Sequence, residues 1–152
     1  SKVGLKSIRI VTNGKVTSVP SIDSDIEIQI EYWNIKPGRR WVGFWLLDAL
    51  GNPICTPSNN NDSTIEPDPW YEKVYPEGIF QTNCIIPKYL LNPGEHAIHL
   101  NINGTANYEQ MVSENNILYF NVTEDSKSHT DNYTKAVGAI RPKLKWETSK
   151  IR

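Results

Sequence analysis

Asp25-Ile26-Glu27-Ile28-Gln29-Ile30-Glu31-Tyr32 decides the fold. Its apolar members, Ile26, Ile28, Ile30 and Tyr32, fall on one side of an extended chain. Glu27, Gln29 and Glu31 fall on the other. A period of two over this length marks a strand with one face buried and one solvated. Working outward, similar alternation predicts strands at about Gly4–Val11, Trp41–Asp48, Ile79–Ile86, His96–Asn103 and Ile117–Thr123. Turn-forming pairs separate them: Asn13-Gly14, Pro37-Gly38, Gly51-Asn52-Pro53, Glu77-Gly78, Asn92-Pro93-Gly94 and Asn103-Gly104. No ten-residue stretch carries a convincing helical period, although short helical turns fit near Lys88–Leu91 and Glu109–Val112. Six or more strands with regular turns predict an all-β chain, an immunoglobulin-like antiparallel β-sandwich.

The chain has 152 residues, enough for one domain with a real core. Apolar residues are 38% and aromatics 10%, with five Trp and seven Tyr, which excludes a disordered segment. The net charge of −1 supplies no basic excess to neutralise phosphates, so nucleic acid is not an expected partner. The longest apolar run, Val42–Leu47, is too short to span a bilayer. No charged n-region followed by an apolar h-region opens the sequence. Cys55 and Cys84 form no CxxC and fit no zinc spacing. They read as free thiols in a reducing compartment, with a disulfide between them as the lesser alternative.

Two stretches interrupt the strand pattern. Thr56–Pro76 is a long connection rich in Asn, Asp and Pro that ends with Trp70, Tyr71 and Tyr75. Long loops in compact domains are often functional. Glu124–Thr134 is polar and reads as a linker, after which Ala136–Trp146 becomes strand-like again. The division expected is a sandwich over 1–123, a linker over 124–134, and a C-terminal strand and tail over 135–152. That strand is expected to add to a sheet edge of its own domain or of a partner.

Several chemistries are missing. There is no GxxxxGK[ST] loop and no GxSxG elbow. His96 and His99 stand three apart on a strand, so they point to opposite faces and cannot chelate one ion. Asp62, Glu66, Asp68, Glu72 and Glu77 read first as a solvated loop, with a calcium site or a glycosidase carboxylate pair as alternatives. Asn-x-Ser/Thr sequons start at Asn61, Asn103, Asn121 and Asn132 and matter only in a secreted protein. Neither catalytic residues, nor a metal, nor a cofactor is expected.

Strand parity gives the candidate site. Val42, Phe44 and Leu46 make a core face, which turns Trp41, Gly43, Trp45 and Leu47 outward. His96, Ile98, Leu100 and Ile102 go in, so Ala97, His99, Asn101 and Asn103 go out. Leu118, Phe120 and Val122 go in, while Tyr119 and Asn121 go out. In a sandwich these three strands share one sheet. Its outer face then carries Trp41, Trp45, His99, Asn101, Tyr119 and Asn121. Flat rings beside amide and imidazole groups suit sugars, whose C–H faces pack on aromatics and whose hydroxyls need both donors and acceptors. Two alternatives compete: an inverted parity that buries Trp41 or Trp45, and burial of this face against another subunit. On the other sheet, Glu27, Gln29, Glu31, Gln81 and Asn83 read as an ordinary solvated face, and Trp33 as loop packing.

The succession Asp25–Trp33, Val42-Gly43-Phe44-Trp45-Leu46-Leu47-Asp48-Ala49-Leu50-Gly51-Asn52-Pro53-Ile54, Leu90-Leu91-Asn92-Pro93-Gly94-Glu95-His96 and Leu118–Val122 resembles the C-terminal carbohydrate-binding domain of Wzt. Wzt is the ATPase subunit of ABC transporters that export bacterial O-antigen polysaccharide. The likeness runs from about Val3 to Trp146, and the order and spacing of the stretches carry it. His96 stands where the family usually has an aromatic. The resemblance implies a non-catalytic module that recognises lipid-linked O-antigen polysaccharide in the cytoplasm, at the inner face of the bacterial inner membrane. It implies a homodimer with the C-terminal strand exchanged between protomers. The further partners it implies are a transporter membrane subunit and the ATPase domain of a parent chain. The rival readings are an ancillary domain of a glycan-active enzyme and an immunoglobulin-like protein-interaction module.

Overall fold

The computed structural model describes residues 1–105, 108–124 and 138–151. Its strands are β1 (Val3–Thr12), β2 (Lys15–Val16), β3 (Ile26–Asn34), β4 (Gly38–Leu47), β5 (Pro53–Cys55), β6 (Val74–Tyr75), β7 (Gly78–Ile86), β8 (Gly94–Gly104) and β9 (Gln110–Val122). One sheet runs β2-β1-β3-β7, and the other runs β5-β4-β8-β9 with β6 pairing to the start of β4. Every pairing between these strands is antiparallel. The all-β sandwich expected from the alternation is the fold observed.

The core sits between the two sheets. Ile28, Ile30 and Tyr32 of β3 meet Phe44 and Leu46 of β4, Ile98 and Leu100 of β8, and Phe120 of β9. Burying each such side chain contributes roughly 1.5–3 kcal/mol. Tyr32 keeps its hydroxyl satisfied by Thr82 Oγ1 at 2.9 Å.

The long loop closes one side of the sandwich. Residues Pro57–Asn59 ride along β4: Phe44 N donates to Pro57 O at 3.0 Å and Asn59 N to Val42 O at 2.9 Å. Val42 N donates in turn to Asn59 Oδ1 at 2.9 Å. Further on, Tyr75 is buried, with ring centroids 4.8 Å from Phe80 and 5.3 Å from Trp70. Beneath this cluster lies Arg40, only 2% exposed. Its Nε donates to Asn34 Oδ1 at 2.7 Å, and its Nη groups donate to Arg39 O at 3.0 Å and Lys36 O at 2.6 Å. Asn34 Nδ2 passes the network on to Tyr75 O and Pro76 O. A Cβ at position 38 would lie 2.5 Å from Arg40 Nη1, so a larger residue there would have to displace the hydrogen-bonded guanidinium.

Both expected helical turns give way to other structure. Gln110 and Val112 lie in β9, paired with Asn103 and Ile102. Lys88 and Tyr89 form a turn with Tyr89 at φ +63°, and Leu91 bridges to Ile140. β9 therefore begins at Gln110, not at about Ile117. The reason is a bulge. Ile98 to Leu100 is two steps on β8, while their partners Leu118 and Glu114 are four steps apart on β9. Asn116, at φ +50°, marks the insertion. The alternation is regular downstream of it and obscured upstream.

At the C-terminus, residues 125–137 of the expected linker and strand lie outside the described residues. Within 138–151, Ile140 bridges to Leu91, and Arg141 N donates to Leu90 O at 2.7 Å. Arg141 also pairs with Glu124, which is largely buried, at 2.5 Å. The described part of the predicted 136–146 strand thus makes one bridge, and its Leu144 and Trp146 are exposed.

Candidate functional site

The outer face of the β5-β4-β8-β9 sheet carries the predicted residues, in rows set by the register. Inner Val42, Phe44 and Leu46 are 1–3% exposed, whereas Trp45 is 44% exposed, so the parity is not inverted. Trp45 lies opposite His99, with ring centroids 6.0 Å apart and planes at 29°. His99 faces the β9 bulge, and its Nε2 lies 3.2 Å from Ser113 Oγ. The next row holds Gly43 and Asn101, and the one beyond holds Trp41 and Asn103.

Gly43 shapes the floor. A Cβ there would sit 2.9 Å from Pro57 O and 3.2 Å from Trp41 Cη2. The glycine therefore lets the half-buried Trp41 ring and the long loop approach the sheet together. In the other direction, Tyr119 is 60% exposed and pairs with Ala97, and Asn121 pairs with Glu95. Eight residues of β8 separate the partner of Trp41 from the partner of Asn121, about 27 Å at strand rise. The six predicted residues thus share a face without forming one cluster. Trp41, Trp45, His99 and Asn101 group together, and Tyr119 and Asn121 lie towards the far end.

Beyond Trp41 the face deepens into a cleft of about 480 Å³. It is lined by Arg39, Trp41, Asn60, Tyr71 and Glu72, together with Gly104, Thr105 and Tyr108 at and beyond the end of β8. The Asp68–Lys73 turn places Tyr71 and Glu72: Asp68 Oδ1 accepts from Trp70 N at 2.8 Å, and Tyr71 N donates to Asp68 O at 3.1 Å. Arg39 Nε donates to Glu72 O at 2.9 Å. Of the cleft residues, Glu72 was read only as one of five loop acids and Tyr71 only as part of the long loop, and Arg39, Asn60, Thr105 and Tyr108 were not among those expected. Arg39 carried a readable signal, since it stands two before Trp41 and shares its parity. Reading the strand from Trp41 onward left it out.

Of the five loop acids, Glu72 alone lines the cleft. Asp68 is occupied as a brace, with Oδ2 also accepting from Asn59 Nδ2 at 3.3 Å. Among the described residues no three His, Cys, Asp or Glu side chains converge as metal ligands. His96 points inward as its parity requires, stacked on Phe120 at 5.2 Å with Nδ1 2.8 Å from Gly94 O. Burial holds its pKa below the ordinary imidazole value, against a smaller opposing effect of the Gly94 carbonyl. Cys55 and Cys84 are free, and burial pushes both thiols up.

The opposite sheet differs from expectation at one residue. Trp33 does not pack in a loop. It lies between Gly4 and Ile79 on the sheet, 45% exposed, with Lys6 Nζ 5.8 Å above its ring. No helix among the described residues is long and apolar enough to cross a membrane.

This geometry defines a class: an antiparallel β-sandwich with an open face of aromatic, amide and imidazole side chains. No family model matches the sequence, and no curated protein matches it. Among solved structures, the crystal structure of the C-terminal domain of Wzt is similar, with a TM-score of 0.74 over 97% of this chain and 84% of that one. Sequence identity across the match is 10%, so the likeness is one of fold.

Proposed function

We propose that this chain is a non-catalytic carbohydrate-binding domain that recognises O-antigen polysaccharide for export by an ABC transporter. One observation carries the reading: Trp45 stands open to solvent against His99, on the same face as a Trp41 ring laid over Gly43 beside Asn101. Sugar rings pack on such indoles, and the amide and imidazole hold hydroxyls. The shared fold with the Wzt C-terminal domain supports the polysaccharide as ligand. In this reading the chain acts as a homodimer with exchanged C-terminal strands. It works on the cytoplasmic side of the inner membrane beside an ATPase domain and a transporter membrane subunit.

A glycosidase reading finds less support, because hydrolysis needs two placed acids and, among the described residues, Glu72 is the one carboxylate lining the cleft. Affinity per site is expected to be micromolar to millimolar, on the order of −4 to −8 kcal/mol, since sugar hydroxyls exchange water bonds for protein bonds at small net gain.

Titration of the purified chain with O-polysaccharides from a panel of bacterial strains, followed by Trp fluorescence, tests the proposal. The expected result is saturable quenching by one polysaccharide, weakened about tenfold or more in Trp45→Ala. Unchanged spectra with every polysaccharide, including that of the source strain, would overturn it.

A further inference from the structure

The cleft beyond Trp41 differs in chemistry from the open Trp45 platform. The platform offers rings, an imidazole and an amide. The cleft adds a guanidinium and a carboxylate, Arg39 and Glu72, to a lining that also holds the rings of Trp41, Tyr71 and Tyr108. Its volume of about 480 Å³ falls within the range of small-molecule sites. Arg39 is anchored through Nε to the Glu72 carbonyl, and its Nη groups make no hydrogen bond to any described residue. A fork held at its base with free prongs is preorganised to donate. The exposed Glu72 carboxylate likewise accepts no hydrogen bond from a described residue, so its oxygens are open to a ligand in the cleft.

Resting on the glycan reading above, we infer that this cleft is a distinct subsite for one neutral sugar residue. A vicinal diol bridges Arg39 and Glu72 there, with the ring seated on Trp41. The charge pairing selects the ligand class. An acidic sugar gains from Arg39 but meets the Glu72 carboxylate in the same cleft. An amino sugar carrying a free ammonium meets the reverse. A neutral polyol uses both groups, donating a hydroxyl proton to the carboxylate and accepting from the guanidinium. Hydrogen bonds to ionised partners are about twice as strong as neutral ones. The cleft, not the open platform, therefore sets which sugar is accepted, and Arg39 and Glu72 are its specificity residues.

The experiment is amide NMR of the full chain with single sugars as probes: glucose, mannose, galactose, rhamnose, glucuronate and glucosamine, each to about 100 mM. The expected result is saturable shifts of the Glu72 and Thr105 amides with at least one neutral sugar, at an affinity about tenfold or more above glucuronate and glucosamine. Arg39→Gln and Glu72→Gln should each weaken that response about tenfold while the spectrum stays dispersed. Glu72→Gln should also narrow the gap to glucuronate. Equal or tighter binding of glucuronate or glucosamine overturns the inference. So do shifts confined to Trp45, His99 and Asn101, or an unaltered response in both variants. If no single sugar shifts the cleft but a polysaccharide shifts the Trp45 row, the subsite falls and the glycan reading stands. If no saccharide of any length perturbs the chain, both fall.

Discussion

At the scale of single residues, parity was the readable quantity. Trp45 is exposed because Phe44 and Leu46 are needed inside, and a strand leaves its odd members no other direction. Gly43 was visible only as an outward-facing glycine, since its purpose depends on Pro57, a neighbour fourteen positions along the chain. Gly43→Ala should drive a methyl against that carbonyl and displace the Trp41 ring. We expect a destabilisation of about 1–3 kcal/mol and weakened saccharide binding, read by urea denaturation and titration on the same sample. His96 makes a second prediction. Its folded pKa lies below the unfolded value near 6.5, so both states are neutral above that pH. As pH falls through about 6.5 the unfolded chain takes up the proton first, and stability declines until the folded state also protonates. His96→Phe should keep the stack on Phe120 and stay within about 1 kcal/mol of wild type at pH 7.5. Thermal melts should show its stability declining less than that of wild type between about pH 6.5 and 5, and an equal decline in the two proteins would refute the assignment.

At the scale of elements, the strands with unbroken alternation were legible to within a few residues. Those that depend on other parts of the chain were not. β5 and β6 are short edge pieces whose only reason to be strands is the exposed backbone of β4 beside them. The first half of β9 was hidden by its bulge, and the bulge leaves His99 facing Ser113. The cleft was illegible for a related reason: Tyr71 and Glu72 reach it through a turn fixed by Asp68 and by the β6 pairing, both long-range in origin. Arg40 ties these elements together from beneath. Arg40→Met fills similar space but takes the guanidinium from Asn34 Oδ1 and the carbonyls of Lys36 and Arg39. The expected loss is about 1–3 kcal/mol in urea denaturation, the cost of leaving the buried Asn34 acceptor unpaired, since the carbonyls of the exposed Lys36 and Arg39 regain water. Because Asn34 also holds the carbonyls of Tyr75 and Pro76, the Glu72 amide should shift in the NMR spectrum of the variant. A variant as stable as wild type would show that water replaces the guanidinium.

At the scale of the whole molecule, the composition already separated this chain from binders that work by charge. The net charge is −1, and the one guanidinium of the cleft shares it with a carboxylate. Recognition built on stacking and hydroxyl bonds releases few counterions, so its affinity depends weakly on salt. A protein that neutralises several phosphates loses affinity steeply, with a slope in log–log form close to the number of contacts. Fluorescence titration of the O-polysaccharide at about 50 and 500 mM NaCl should give dissociation constants within about threefold of each other. A loss of about a hundredfold or more would mean that anionic groups of the glycan, and not its ring faces, provide the binding energy. In that case Arg39 would dominate over Trp45, and the substitution ranking would invert: Arg39→Gln would abolish binding at low salt while Trp45→Ala left it nearly intact. The salt series and the two variants therefore decide together which side of the sheet's chemistry the ligand reads.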